Sequence, residues 1–114
     1  MCAIIGVASK DPFHDRDWLS VGRDLMFHRG PDDFGEWWSV DGRVGFAHRR
    51  LSIVDLSSFG HQPMHISGHD LSIIFNGEIY NHNDIRKDLV HLGFTFQSSS
   101  DTEVLIAAYA AWGI

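Results

Sequence analysis

The sequence predicts an α+β domain in which helices cover mostly antiparallel strands. Three observations carry this expectation. The short run Ala3 to Ala8, with two isoleucines and a valine, has the make-up of a buried strand. An Asp41-Gly42 pair stands between two strand-like runs, as in a hairpin. Two later segments carry helical spacing with recognisable ends.

Taken in order, Ala3 to Ala8 starts a strand almost at the first residue. Trp18, Val21, Gly22, Leu25 and Met26 then recur at helical spacing, with Asp15 or Asp17 available as cap and Gly30-Pro31 as the stop. Phe34 to Val40 and Arg43 to Ala47 read as strands joined by a two-residue type I′ turn at Asp41-Gly42, and Arg50 to Asp55 can extend the second. Ser57 to Gly68, rich in Ser, Gly, His and Pro, reads as a loop. Leu71 to Phe75 has the character of another buried strand. Asn81 to Leu92 is predicted as a helix with Ile85, Leu89 and Leu92 on one face and Gly93 at C′. Phe94-Thr95-Phe96 alternates like a short strand. Ser100-Asp101-Thr102-Glu103 forms a capping box, Ser100 at N-cap and Glu103 at N3, before a helix carrying Val104, Leu105, Ala108, Ala111 and Trp112.

Composition excludes several classes. With 114 residues, 44% hydrophobic and 21% charged, the chain has ordinary globular usage and not that of a disordered one. The formal net charge of -6 gives no electrostatic footprint for nucleic acid or an anionic membrane. No apolar run approaches the roughly 18 residues of a membrane span, and there is no signal-peptide pattern. One cysteine cannot make an internal disulfide, so a cytoplasmic setting is expected.

Five groups could do chemistry. Cys2 follows the initiator Met; trimming of Met1 would leave a thiol and a free α-amine on one residue, a nucleophile with its own base. The bland reading is a buried apolar cysteine at a strand start. Asn76-Gly77-Glu78 follows the Leu71 to Phe75 run. A primary amide and a glycine N–H there suit an oxyanion hole, or form a plain Asn-Gly turn. His48-Arg49-Arg50 offers guanidinium forks for a carboxylate, or a solvated strand end. Asp101 favours a helix start electrostatically, or holds a ligand's ammonium. His61, His65 and His69 are spaced by four, but Gly60, Pro63 and Gly68 argue against the helix that would gather them round a metal. No metal site is expected, and no phosphate-cradling glycine pattern occurs.

Several motifs then resemble one family together. They are Met1-Cys2-Ala3-Ile4-Ile5-Gly6-Val7, His28-Arg29-Gly30-Pro31-Asp32, Arg50-Leu51-Ser52-Ile53-Val54-Asp55, Gln62-Pro63-Met64, Asn76-Gly77-Glu78-Ile79-Tyr80-Asn81 and Ser100-Asp101-Thr102-Glu103. In this order they are similar to the glutaminase domain of glutamine-hydrolysing asparagine synthetases, the class II glutamine amidotransferases, across essentially the whole chain.

The resemblance implies an N-terminal-nucleophile (Ntn) hydrolase fold, two stacked sheets between helix layers, and hydrolysis of L-glutamine to glutamate and ammonia. It implies Cys2 as nucleophile, its α-amine as base, and Asn76 with the Gly77 N–H as oxyanion hole. Arg50 would hold the glutamine α-carboxylate, and Arg50, Leu51, Ser52, Ile53 and Val54 would line the pocket. Asn76 and Gly77 also face the substrate, and Glu78 and Asp101 would hold its ammonium. Ala3 departs from the glycine or serine common in the family, and Arg49 from a glutamate; Arg50 is chosen because it directly precedes Leu51-Ser52.

Family glutaminase domains are longer, and a synthetase domain with a Ser-Gly-Gly ATP signature follows them. Residues 1–114 are therefore expected to be the N-terminal part of such a domain, incomplete as a fold and not stable alone. No cofactor is expected within it, with ATP and Mg in the synthetase domain. That domain is the expected partner, and a homodimer is compatible. The ammonia acceptor is open: aspartate, another carboxylate or a sugar. A non-catalytic Ntn-like domain used in binding or assembly is the alternative.

Overall fold

The computed structural model describes residues 2–53 and 55–114. Its elements are β1 (Ala3–Ala8), α1 (Asp17–Leu25), a 3₁₀ turn (Phe27–Arg29), β2 (Asp33–Trp38), β3 (Val44–Arg50), a second 3₁₀ turn (Ser58–Gly60), β4 (Met64–His65), β5 (Ser72–Ile73), α2 (His82–His91) and α3 (Asp101–Trp112). The α+β expectation holds, with antiparallel pairing throughout both sheets.

The larger sheet has the order β1-β3-β2. Ala3 and Phe34 both register with Arg49, and Ile5 and Glu36 with Ala47. Because side chains alternate across a strand, Ala3, Ile5, Ala47 and Arg49 share one face. Helix α1 covers that face and buries Leu19 and Arg23. This places the inward stripe one position from the expected Trp18–Val21–Leu25 set, all of which are exposed. The reason is that Arg23 can be buried: Asp24 accepts from its Nε at 2.8 Å, and its guanidinium lies 4.6 Å from the Phe34 ring centroid. Trp18 packs sideways instead, against Phe13 and Trp38.

The opposite face carries Gly6, Gly35, Trp37, Phe46 and His48. Residues 61–75, with the β4–β5 ladder, lie against it. Trp37 and His65 rings sit 5.3 Å apart. Gly35 allows the closest approach, since a Cβ there would overlap the Gln62 carbonyl oxygen. Beyond this segment α2 and α3 pack together on Leu89, Val104 and Ala107, flanked by Ile66, Ile85, Phe94 and Phe96.

Several local expectations change. Ala3 to Ala8 is buried on one face only, and Ile4 is exposed. Helix α1 stops at Leu25, and the 3₁₀ turn carries the chain on to Gly30. No type I′ turn forms at Asp41-Gly42. Gly42 has φ +70°, but no non-glycine described residue has positive φ. The connection spans five residues, 39–43, instead, because Ser39 Oγ donates to Asp41 and accepts from the Arg43 and Val44 N–H groups.

Strand β3 ends at Arg50, so residues 51–53 do not extend it. The Leu71 to Phe75 run pairs only at Ser72–Ile73 and is half-buried. Phe94–Phe96 forms no strand because both rings join the helical core. Helix α2 ends as foreseen, in a Schellman motif: Gly93 has φ +96°, its N–H donates to Val90, and the Phe94 N–H donates to Leu89. At α3 the box is opened out. Ser100 Oγ accepts from Thr102 N, while Glu103 reaches back to the N–H groups of Gln97 and Ser98.

His48 is buried, and neither ring nitrogen has a hydrogen-bond partner among the described residues. Burial pushes its pKa from 6.5 down to about 4; Arg50 and His61 push the same way, while the Phe75 backbone and Asp33 oppose. The unfolded imidazole takes its proton near pH 6.5 and the folded one only near 4. Stability is therefore full above that window and falls as pH drops through it, by roughly 3 kcal/mol in all. Chemical unfolding of the native protein and His48→Phe between pH 4 and 7 checks this: the variant should lack that part of the slope.

Candidate active site

An open cleft of about 430 Å³ lies where the end of β3, the residues after β5 and the start of α3 meet; Cys2, Arg50, Leu51, Ile53, Asn76, Gly77, Glu78 and Asp101 all line it. Residues from positions 2 to 101 thus converge on one space. Ser52 does not line the wall; its N–H donates to Asp32 Oδ2 at 2.8 Å. Val54 and Met1 fall outside the described residues, and with them the expectations about Val54 in the pocket and Met1 removal.

Cys2 is half-buried at the head of β1. The Leu51 N–H points at its Sγ from 3.4 Å, and the thiol faces the Leu51 carbonyl at 3.7 Å.

The two arginines part ways because they are neighbours on one strand. Arg49 lies on the α1 face, where it donates to the Gly30 carbonyl and to Asp24 and lies over Phe27. Arg50 lies on the cleft side. It donates to the carbonyls of Ser57, at 2.8 Å, and Asp55. Both are buried, so neither is a solvated strand end. Gly60 leaves room for the Arg50 guanidinium, which a Cβ there would overlap. Among the described residues no carboxylate side chain pairs with Arg50. A buried cation without a counter-ion beside an open cleft suits an anionic ligand.

Asp101 opens α3 and is buried, with Oδ2 accepting from the Ile79 N–H at 3.0 Å. No cation among the described residues pairs with it. Asn76, Gly77 and Glu78 are exposed at the rim. The cleft therefore places a thiol near one unpaired positive and one unpaired negative group, a combination that can hold a zwitterion against a nucleophile.

Sequence reasoning missed the groups that hold these residues in place. The Asp55 carboxylate accepts from the N–H groups of Ser57, at 2.7 Å, and Ser99, at 2.9 Å. Hydrogen bonding holds its pKa down at about 2 against the cost of burial, the Ser57 side chain foremost, then the Ser57 and Ser99 N–H groups. Gln62, buried, accepts from Phe75 N and donates to Thr102 Oγ1. Both residues sat inside motifs already singled out, which was the available signal. The three spaced histidines separate: His61 bonds Asp33, His65 bonds Ser72, and His69 stacks on Phe94.

Fold and cleft define an α+β domain whose open cleft is lined by a thiol, a buried guanidinium and a buried carboxylate. A family model described as a glutamine amidotransferase domain matches residues 1–114, and the chain belongs to that family. Among its relatives, asparagine synthetase [glutamine-hydrolyzing] 1 of Bacillus subtilis is 42% identical over 113 residues, covering 96% of this chain and 17% of the relative. Asparagine synthetase [glutamine-hydrolyzing] 3 of the same organism is 39% identical over 116 residues, 98% of this chain and 18% of the relative. An amidase of Gibberella zeae is 41% identical over 96 residues, 84% of this chain and 14% of the relative. The chain thus spans less than a fifth of the length of these relatives. No described helix is long and apolar enough to cross a membrane.

Proposed function

We propose that this domain hydrolyses L-glutamine to glutamate and ammonia for an asparagine synthetase-like amidotransferase. One observation carries the reading: Cys2, Arg50, Asp101 and Asn76-Gly77 line a single cleft. Glutamine is a zwitterion with a side-chain amide. Arg50 takes its α-carboxylate, Asp101 and Glu78 its α-ammonium, and the amide carbon faces the thiol, with Leu51 and Ile53 as wall.

Once Met1 is removed, the Cys2 α-amine accepts the thiol proton as sulfur attacks the amide carbon. The Asn76 side-chain amide and the Gly77 N–H donate to the resulting oxyanion. The protonated amine then gives its proton to the leaving nitrogen. Ammonia departs and a thioester remains, which water hydrolyses to glutamate with the same amine as base.

The finer fold reading is an Ntn hydrolase with two stacked sheets between helix layers. It is supported by α1 on one face of the larger sheet and the β4–β5 segment on the other. In this reading residues 1–114 begin a longer glutaminase domain, and a C-terminal synthetase domain supplies ATP- and Mg-dependent activation of a carboxylate such as aspartate. No step in the cleft is routed through those groups. A homodimer and a cytoplasmic setting, where a free thiol persists, complete the proposal. A different ammonia acceptor is the second reading, favoured by relatives named amidases at 40–41% identity.

Steady-state glutaminase kinetics of the full-length protein test the clamp. Both contacts exist in ground and transition states alike, so Arg50→Lys and Asp101→Asn should chiefly raise KM. Loss of one charge-assisted contact is worth about 1.5–3 kcal/mol, or roughly ten- to a hundredfold. An Asp101→Asn variant with wild-type KM would reduce Asp101 to a helix-start charge.

A further inference from the structure

We propose that Gln62 is a positioning residue that couples the oxyanion donors to the ammonium-binding carboxylate. The inference rests on the glutamine-hydrolysis reading above. Gln62 is buried at 6% exposure, and its side chain bridges two parts of the cleft. Its Oε1 accepts from the Phe75 N–H at 2.7 Å. Its Nε2 donates to Thr102 Oγ1 at 3.2 Å. Phe75 directly precedes Asn76-Gly77, and Thr102 directly follows Asp101. One amide therefore ties the segment that carries the oxyanion donors to the helix start that carries the carboxylate.

The residue's own place is fixed from behind. Its carbonyl oxygen rests on Gly35, where no side chain would fit. Oε1 and Nε2 of Gln62 are each held by one partner, which fixes the amide in the cleft wall, and through these two bonds it acts on its neighbours. The Phe75–Gly77 segment needs this support, because β5 pairs only at Ser72–Ile73 and no ladder hydrogen bond reaches Asn76. The Phe75 N–H would otherwise lose its acceptor. Misplacing a reacting group by about 1 Å costs up to a hundredfold in rate, so a brace here acts on chemistry as well as on binding.

The test uses the full-length protein and the variants Gln62→Met, Thr102→Val, Thr102→Ser and the Gln62→Met/Thr102→Val pair, with Cys2→Ser as reference. Glutamine kcat and KM are measured beside turnover on supplied ammonia. Gln62→Met removes both bonds with little change of shape; it should lower kcat by roughly ten- to a hundredfold and raise KM, leaving ammonia-driven turnover intact. Thr102→Val loses only the link to α3 and should chiefly raise KM. Thr102→Ser keeps the oxygen and should behave as wild type. The paired variant should be no worse than Gln62→Met, because the one bond that Thr102→Val breaks is already absent there.

Wild-type kinetics for Gln62→Met, or equal defects in Thr102→Val and Thr102→Ser, would overturn the proposal. Should Gln62→Met lose ammonia-driven turnover through misfolding, the Thr102 variants decide: Val impaired and Ser normal supports the brace, both normal overturns it. A fully active Cys2→Ser would instead defeat the glutamine-hydrolysis reading itself. An inactive Cys2→Ser beside a normal Gln62→Met defeats only the brace.

Discussion

Cys2→Ser in the full-length protein is expected to abolish glutamine hydrolysis while leaving glutamine binding nearly intact. The thiol sits at the head of β1 with the Leu51 N–H 3.4 Å from its sulfur. A hydroxyl there keeps the shape but is a far poorer nucleophile near neutral pH, where a cysteine already carries some thiolate. Removing a nucleophile from a preorganised site costs at least about a thousandfold in kcat. Arg50 and Asp101 are untouched, so the dissociation constant for glutamine should change little. Turnover on supplied ammonia should survive, because it bypasses the cleft. Titration calorimetry beside steady-state kinetics reads both halves. Glutamine turnover by Cys2→Ser at the native rate would remove the thiol from the mechanism.

Asn76→Ala is expected to lower kcat by roughly a hundred- to a thousandfold, with a much smaller change in KM. The Asn76 amide and the Gly77 N–H lie at the cleft rim, directly after the braced Phe75. Charge on the substrate oxygen appears only after attack, so a donor aimed at it acts mainly on the transition state. This is the opposite signature to Arg50→Lys. Single-turnover measurements on Asn76→Ala separate acylation from release. A variant with raised KM and normal kcat would move the oxyanion donors elsewhere.

The end of α2 and most of the residues that line the cleft were legible in the sequence. Gly93 marks the end of α2 because only glycine readily takes φ +96°. Cys2, Asn76 and Asp101 stood out as residue types able to do chemistry, and Arg50 was preferred to Arg49 because it directly precedes Leu51-Ser52. Burial was less legible. The inward face of α1 was misplaced because Arg23 reads as a surface cation until Asp24 and Phe34 are seen beside it. Phe94 and Phe96 alternate like a strand, yet helices α2 and α3 offer both rings an apolar core. The Asp41-Gly42 turn failed because Ser39, two residues earlier, competes for the same backbone groups. Adjacent Arg49 and Arg50 could not be assigned to faces by composition; the register of β3 does that. Gln62 and Asp55 escaped as site residues because the partner that ties each to the start of α3 lies 40 and 44 residues away in sequence.

The most direct test of the central claim is intact-mass and peptide-mass analysis of the native protein after reaction with a diazoketone analogue of glutamine. Hydrolysis by Cys2 with its own α-amine requires that Met1 be gone and that the thiol react inside the cleft. The account predicts a single adduct, on a peptide that begins with Cys2, and protection by excess glutamine. An active enzyme that retains Met1, or an adduct on another residue with Cys2 unmodified, would contradict it.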